Sequence, residues 1–237
     1  MDEPEGDPNR GEEKLNSPKT YLHISPYPEQ HVRSYADTGA RLRIQAAGFP
    51  AVKTMEDFDF DTQPGLRQQI GALGSVAFLG EAGNVVLLGP PGTGKTHLAI
   101  ALGIKAAHAG HRVLFATATD WVTRLADAHR QGHLPLELAK LRRYGLIIVD
   151  EVGYLPFEQD AANLFFQLVS SRYERASLIV TSNNPFGRWG EVFGDDVVAA
   201  MIDRLVHHAD VVASKGDSYR LKDRDLGRVP AASNEDQ

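Results

Sequence analysis

Short apolar runs alternate with amphipathic segments through the middle and the carboxyl-terminal part of the chain. The apolar runs predict strands at residues 84–88, 112–116, 146–149, 177–181, 211–213 and 219–221. The intervening segments have helical periodicity at residues 95–109, 120–131, 136–143, 158–173 and 196–206. Strands that are apolar on both faces and separated by helices are typical of a parallel sheet covered on both sides. We therefore expect an α/β fold with a doubly wound parallel sheet.

The two ends of the chain lack this pattern. Residues 1–35 are rich in Glu, Asp, Pro, Gly, Asn and Ser, and such a segment buries too little apolar surface to offset the entropy of ordering. We therefore predict a disordered acidic, proline-rich tail over residues 1–35 and a second disordered tail over residues 230–237. Residues 36–80 are interpreted as a linker with short helices, which leaves residues 81–229 for the α/β domain.

Composition and charge narrow the class of protein. The chain has 42% apolar and 24% charged residues, which is ordinary for a globular protein. It contains no cysteine, so disulfides and thiolate catalysis are excluded and a reducing compartment fits. No apolar run approaches the length of a membrane span, and the acidic start of the chain does not resemble a signal peptide. We therefore expect a cytoplasmic protein with no membrane partner.

A phosphate-binding motif lies between the first predicted strand and the helix that follows it. Residues 89–96 read GPPGTGKT and match the P-loop pattern G-x-x-x-x-G-K-[ST] in full. Gly92 and Gly94 allow backbone N–H groups to face phosphates at a helix N-terminus. The side chain of Lys95 reaches the terminal phosphates in such loops, and the Thr96 hydroxyl ligates Mg²⁺. The motif predicts binding of ATP with Mg²⁺, through Gly89, Pro90, Pro91, Gly92, Thr93, Gly94, Lys95 and Thr96.

Two carboxylates follow the buried strand at residues 146–149. Asp150 and Glu151 are expected at the carboxyl edge of the sheet, where ligands of α/β proteins bind. Asp150 is predicted to hold Mg²⁺ directly or through water, and Glu151 to polarise an attacking water molecule. A kinase has to exclude water, so this pair favours an ATPase over a small-molecule kinase. A scaffold that only binds nucleotide is disfavoured because Lys95, Asp150 and Glu151 are all present.

Polar residues also follow the strand predicted at residues 177–181. An amide at this position can contact the γ-phosphate and orient the attacking water. Asn183 is the first choice for this role, and Thr181 and Asn184 are the alternatives. The competing interpretation is that these residues only form the turn before Pro185.

Two other features each have two interpretations. Phe58 and Phe60 alternate with aspartates as strand residues do, and they either flank the adenine or pack under the sheet, with packing favoured. His207 and His208 are followed by Asp210, but no third ligand accompanies them at helical spacing, so metal binding is disfavoured.

Four stretches of the chain resemble one protein family. They are AGNVVLLGPPGTGKTHLAIALG, LRRYGLIIVDEVGYLPF, IVTSNNPFGRWGEVFGDD, and MIDRLVHHADVV with the later SYRL. They are similar to the IstB family, AAA+ ATPase helpers of insertion-sequence transposition that are related to the DnaC helicase loader. The similarity runs from about residue 46 to about residue 229. It implies an AAA+ domain that assembles on DNA and assists a transposase, with loading of a replicative helicase as the alternative.

The resemblance also implies roles for two arginines. Arg204 corresponds to the arginine finger, which inserts into the nucleotide site of a neighbouring subunit, and Arg220 to a later residue that senses the nucleotide. For both, a solvated arginine on a helix face is the alternative. Only 24 residues follow Ala213, too few for the helical lid of many AAA+ proteins, and IstB and DnaC relatives share this lack. We therefore expect self-association to complete the site.

The sequence offers candidate regions for binding a transposase and DNA. IstB-like proteins carry a helical amino-terminal domain that engages the transposase, and here only residues 35–47 could be its remnant. The predicted helices at 120–131 and 136–143 occupy the place where initiator-type AAA+ proteins insert a helix toward DNA. The net charge of −6 gives no global basic field, so DNA contact requires local patches. The candidates are Arg124, His129, Arg130 and His133. The alternative, which is equally supported, is that these side chains only form a solvated helix face.

Overall fold

The computed structural model describes residues 29–154 and 156–214 of the 237-residue chain. The helices are α1 (Glu29–Ala46), α2 (Pro64–Leu73), α3 (Lys95–His108), α4 (Ala118–Arg130), α5 (Leu134–Leu141), α6 (Gln159–Arg172), α7 (Gly190–Phe193) and α8 (Asp195–Val206). The strands are β1 (Asn84–Leu88), β2 (Val113–Thr117), β3 (Leu146–Val152), β4 (Ser177–Ser182) and β5 (Ala209–Ala213). Short 3-10 helices occur at Phe60–Thr62, Ala77–Glu81 and Phe186–Arg188.

The described strands form one sheet of five strands in the order β2-β3-β4-β1-β5. All four neighbouring pairs are parallel, which confirms the expected parallel sheet. Because β1, β3 and β4 are neighbours, their carboxyl ends lie side by side at one edge. The P-loop follows β1, and the predicted carboxylates and amide lie at the ends of β3 and β4, so the fold brings the predicted site together.

Helices cover both faces of the sheet. One buried cluster contains Trp121 of α4, Leu141 of α5, Phe165 of α6 and Met201 of α8. A second buried cluster contains residues of α2 and α3, and α1 packs against α3. Successive residues of β3 alternate between these two clusters, as the side chains of a strand covered on both faces do. The doubly wound α/β fold is therefore confirmed.

Most predicted boundaries agree with the structure within two residues. The helix predicted at residues 35–47 instead begins at Glu29, so the disordered tail predicted over residues 1–35 is wrong from Glu29 onward. Between Pro64 and Glu81 the chain forms α2 and then a 3-10 helix, which are separate because Val76 adopts a left-handed φ of 54°. Strand β3 extends three residues beyond the predicted end at residue 149.

Some expectations lie outside the described residues. These are the strand at 219–221, Arg220, the tail at 230–237 and residues 1–28 of the amino-terminal tail. The question of a carboxyl-terminal lid falls there as well. No helix in the described part of the chain is long and apolar enough to cross a membrane.

Candidate nucleotide site

The P-loop connects β1 to α3 and has a backbone that only glycine accommodates at its two ends. Gly94 has a φ of 85°, and a Cβ atom there would lie 2.4 Å from Cε2 of Phe58. Gly89 has a φ of 149°, and a Cβ atom there would lie 2.5 Å from the carbonyl oxygen of Ser214. The loop is thus packed between two other segments, which fixes its shape.

Lys95 is held within the loop it belongs to. Its side chain is buried, and Nζ donates to the carbonyl oxygens of Gly89 and Pro90 at 2.7 Å each. The Thr93 hydroxyl donates to the same Pro90 oxygen at 2.9 Å. The ammonium group therefore lies against the loop at the N-terminus of α3, where backbone N–H groups favour phosphates.

The two predicted Mg²⁺ ligands are neighbours. The Thr96 hydroxyl donates to Asp150, with Oγ1 at 2.9 Å from Oδ1 and 3.0 Å from Oδ2. Asp150 is only 4% exposed, so its charge is shielded from bulk water. A hydroxyl and a carboxylate oxygen beside a P-loop are the protein ligands that Mg²⁺ takes when phosphate and water fill its remaining positions. The donor set fits Mg²⁺.

Thr181 of β4 joins the two predicted acidic residues. Its Oγ1 donates to Asp150 Oδ1 at 2.6 Å and accepts from the backbone N–H of Glu151 at 2.9 Å. At this point the register between β3 and β4 shifts, and Glu151 adopts a φ of 61°. A non-glycine residue in that region carries about 1–3 kcal/mol of strain. The irregularity leaves the Glu151 side chain exposed beside the buried Asp150.

The three candidates for the γ-phosphate contact differ in their partners. Thr181 is engaged with Asp150. The Asn184 side chain donates to the Gly153 carbonyl at 3.0 Å, and its own carbonyl accepts from Trp189 Nε1 at 3.1 Å. The half-buried Asn183 side chain makes no hydrogen bond within the described part of the chain. Asn183 is therefore the candidate whose amide is available to a ligand.

Comparison with known proteins places this site in a family. Residues 9–227 match the family model described as IstB-like ATP binding protein. The chain belongs to this family. It is 50% identical over 188 residues to an ATP-binding protein of insertion sequence IS21 from Pseudomonas aeruginosa, a match that covers 78% of this chain and 71% of the relative.

Solved structures share the AAA+ fold of this IstB-like chain. DnaA from Aquifex aeolicus bound to AMPPCP superposes with a TM-score of 0.60 at 23% identity. That match covers 74% of this chain and 54% of the DnaA chain, so this chain spans about half of that protein. The DnaC helicase loader superposes with a TM-score of 0.56 at 19% identity, over 73% of this chain and 99% of DnaC. At 23% and 19% identity, the similarity shows a shared fold.

In this IstB-like chain Arg204 lies far from the P-loop. It is near the end of α8, and the next residue, Leu205, accepts from Asn84 Nδ2 at 3.0 Å through its carbonyl oxygen. Asn84 begins β1, whereas the P-loop follows the end of β1, and five residues of strand span about 13 Å. Arg204 and the P-loop therefore lie at opposite edges of the sheet, and Arg204 does not reach the nucleotide site of its own chain.

Among the described residues, Arg204 contacts α6 and α8. Its Nη1 donates to the Ala200 carbonyl at 3.2 Å, and its Cζ lies 4.7 Å from the ring centre of Phe166. The side chain is half-buried. These contacts hold the guanidinium on the surface formed by α6 and α8.

The aromatic pair ahead of the P-loop packs against the core, as the sequence favoured, but not as part of a strand. Phe58 and Phe60 do not form a strand; Phe58 lies against Gly94 and its ring centre is 5.4 Å from that of His97. Gln63 Nε2 donates to the Thr93 carbonyl at 2.9 Å. Both rings also pack against the buried cluster of α2 and α3. This segment supports the P-loop from outside, a role for Gln63 that no sequence motif signals.

Two of the four candidate DNA contacts are paired with carboxylates. Arg124 Nε donates to Glu137 at 2.7 Å, and Arg130 pairs with Asp127. Although partial burial opposes it, hydrogen bonds and charge from Arg124 and Lys140 lower the pKa of Glu137. His129 and His133 are exposed. The buried Trp121, whose Nε1 donates to the Ile148 carbonyl at 3.0 Å, is a core residue.

Proposed function

We propose that this IstB-like protein hydrolyses ATP with Mg²⁺ and that it does so as a DNA-bound helper of a transposase. The observation that carries hydrolysis is the link made by Thr181, which holds the buried Asp150 and the backbone of the exposed Glu151 at the same time. This link puts a metal-binding carboxylate and a water-accessible carboxylate side by side. A phosphoryl transferase that excludes water has no use for the second.

The residues divide the work as follows. Lys95 and the P-loop backbone bind the β- and γ-phosphates. Thr96 and Asp150 would hold Mg²⁺, which supplies neutralisation of charge on the phosphate oxygens. Asn183 orients the attacking water, and the Glu151 carboxylate accepts its proton while the water oxygen bonds to the γ-phosphorus and the bond to the bridging oxygen breaks.

The position of Arg204 supports a nucleotide site that is shared between two subunits. A guanidinium that stabilises the charge of the transferred phosphate has to approach the γ-phosphate, and Arg204 lies at the opposite edge of its own sheet. A second subunit that stacks its amino edge on the carboxyl edge of the first brings Arg204 to the neighbour's P-loop. We therefore propose self-association, with Arg204 acting in trans. Arg220 is proposed as a further nucleotide contact on the family resemblance.

The family supports the biological setting. The relative from Pseudomonas aeruginosa is named for an insertion sequence, IS21, at 50% identity, which favours a transposase as partner. Loading of a replicative helicase has support only from a fold-level likeness at 19% identity to DnaC. DNA contact is proposed through local groups such as His129 and His133, because Arg124 and Arg130 are paired.

Hydrolysis is tested by phosphate release from ATP with Mg²⁺, with and without DNA. Glu151→Gln should retain ATP binding and lose turnover by about 10²–10⁴-fold, the usual contribution of a general base. Glu158→Gln changes another exposed glutamate, at the start of α6, and should leave turnover unchanged. Equal turnover in Glu151→Gln and the unmodified protein would show that Glu151 is not the base.

The partner is tested with the transposase of the same element. Strand transfer into target DNA should rise when this protein and ATP are both added, and Lys95→Ala should remove the rise. No effect on strand transfer, together with delivery of a replicative helicase to single-stranded DNA, would favour the alternative.

A further inference from the structure

Three metal-ligating side chains meet at the amino edge of the sheet, away from the nucleotide site. Glu174 lies in the turn between α6 and β4, and His207 and His208 lie in the turn between α8 and β5. One ligand atom of each lies within 4.8 Å of the other two, and all three side chains are exposed. The sequence disfavoured a metal here because no third ligand was near in the chain. The fold supplies Glu174 from 33 positions upstream of His207.

A neighbouring hydroxyl orients one of the two imidazoles. The Tyr173 hydroxyl is 3.1 Å from His207 Nδ1. With the ring proton on Nδ1, the hydroxyl accepts it, and the lone pair of Nε2 is left for a metal. Histidine ligands in metal sites usually have their other ring nitrogen fixed by such a partner. The His208 ring lies beside it, with the ring centres 4.2 Å apart.

The backbone of the first turn is fixed by the core. The buried guanidinium of Arg172 donates to the carbonyl oxygens of Leu141 at 3.1 Å, Tyr144 at 2.9 Å and Ser177 at 3.0 Å. Two residues later Glu174 adopts a left-handed φ of 55°, a conformation that is uncommon for glutamate. The hydrogen bonds of Arg172 therefore hold the turn, and with it Glu174, in a backbone conformation that glutamate rarely adopts.

The second turn is fixed as well. The His207 N–H donates to the Asp203 carbonyl at 3.1 Å, and the His208 carbonyl accepts from the Asn84 N–H of β1 at 2.7 Å. Both turns thus have their backbones bonded to helices or strands, so only side-chain rotation separates the present arrangement from a closed site. Ligands on one zinc ion at about 2.0–2.2 Å are at most about 4 Å apart. A small rotation of exposed side chains closes the remaining gap.

We propose that Glu174, His207 and His208 bind a divalent transition-metal ion of the zinc type. Two imidazole nitrogens and one carboxylate oxygen are a set of three protein ligands that zinc takes, with a fourth position left for water or another group. Nitrogen ligands disfavour Mg²⁺ and Ca²⁺, which select oxygen. Bound metal joins the two turns three residues from Arg204, so occupancy of the site stiffens the edge that carries this arginine. The inference does not depend on ATP hydrolysis.

The test is zinc binding to the full chain after treatment with a chelator. Equilibrium dialysis against Zn²⁺ with metal quantification should give one more bound ion per chain for the unmodified protein than for the double variant Glu174→Gln/His208→Ala. Zn²⁺ should also raise the melting temperature of the unmodified protein but not that of the double variant, since only a ligand that binds the folded state stabilises it. Mg²⁺ at the same concentration should not reproduce the rise.

Two controls separate the site from general histidine binding and from misfolding. His108→Ala removes an exposed histidine in the last turn of α3 and should keep the extra zinc ion. ATP binding by the double variant shows that it is folded, and the single change Glu174→Gln serves if it is not. Equal zinc stoichiometry and an equal melting shift in the unmodified protein and the folded variant would overturn the proposal.

Discussion

The two edges of the sheet present their polar groups in different ways. At the carboxyl edge Lys95, Asp150 and Thr181 are buried and bonded to partners within the same chain. At the amino edge Arg204 is half-buried, and Glu174 and the histidine pair are exposed. The first edge is thus organised before any ligand arrives. The second presents groups whose proposed ligand is an ion or another subunit.

The difference indicates that the carboxyl edge forms when one chain folds, whereas the amino edge acts when the chain binds a partner. Buried polar groups are costly unless they are hydrogen-bonded, so those at the carboxyl edge have to find their partners within the monomer. Exposed groups carry no such cost and remain available for a partner. Changes at the carboxyl edge should therefore impair every nucleotide site directly, whereas changes at the amino edge should act on a neighbour or on stability.

The largest effect is expected for Arg204→Ala. If Arg204 acts on the neighbour's phosphate, phosphate release should fall by about 10³–10⁵-fold, the usual contribution of an arginine finger. ATP affinity should stay close to normal, because the P-loop of the same chain is untouched. The measurement is turnover and ATP affinity on the same sample with DNA present.

A matched control is available at the same edge. Arg175 is an exposed arginine in the turn before β4, and Arg175→Ala should leave turnover unchanged. Normal turnover in Arg204→Ala would show that the amino edge takes no part in hydrolysis. Arg204 would then be a residue that packs on Phe166.

Arg172→Met should damage the amino edge through stability instead. Burial lowers the pKa of Arg172 to about 10. Its guanidinium donates to carbonyl oxygens of Leu141, Tyr144 and Gly145 before β3 and of Ser177 at the start of β4. Methionine keeps much of the apolar stem but removes these buried hydrogen bonds, at a cost of about 2–4 kcal/mol. The melting temperature should fall by several degrees while ATP affinity of the folded protein stays normal. An unchanged melting temperature would contradict this.

Thr181→Val should have the smallest effect and act at the carboxyl edge. Valine fills the same space but loses both hydrogen bonds, so we expect turnover to drop about 10-fold and to require more Mg²⁺. Thr181→Ser keeps the hydroxyl and should restore both turnover and Mg²⁺ dependence. If serine fails as badly as valine, the methyl group rather than the hydroxyl matters, and the proposed link between Asp150 and Glu151 is wrong.

The parts of the site that could be predicted from the sequence are local. The P-loop is contiguous, and Asp150 and Glu151 directly follow an apolar run, so strand order alone brings them together. Thr181 was predicted only as an alternative to Asn183 for the γ-phosphate contact. Its link between Asp150 and Glu151 depends on a register shift that the sequence does not show. Glu174 was not predicted for another reason: the two histidines beside it in space are 33 and 34 positions away in the chain.

In the fold, too, features set by local sequence could be predicted and features set by tertiary contacts could not. Parallel strands and their helices followed from apolar periodicity, whereas the start of α1 did not. That helix is largely polar, and its described side chains include the buried Ala40. Arg43 Nε also donates to the Ala107 carbonyl at 2.7 Å. Tertiary packing of this kind stabilises a helix whose composition suggests disorder.

The central claim, that one subunit's amino edge completes the carboxyl edge of the next, is tested by mixing two inactive proteins. Lys95→Ala has an empty P-loop and an intact Arg204. Arg204→Ala has a P-loop that binds ATP but lacks the arginine. In a mixed oligomer some intact arginines face intact P-loops, so phosphate release should return above that of either variant alone and increase with protein concentration. A mixture that stays inactive, although both variants are recovered in the same oligomer, would contradict a site shared between subunits.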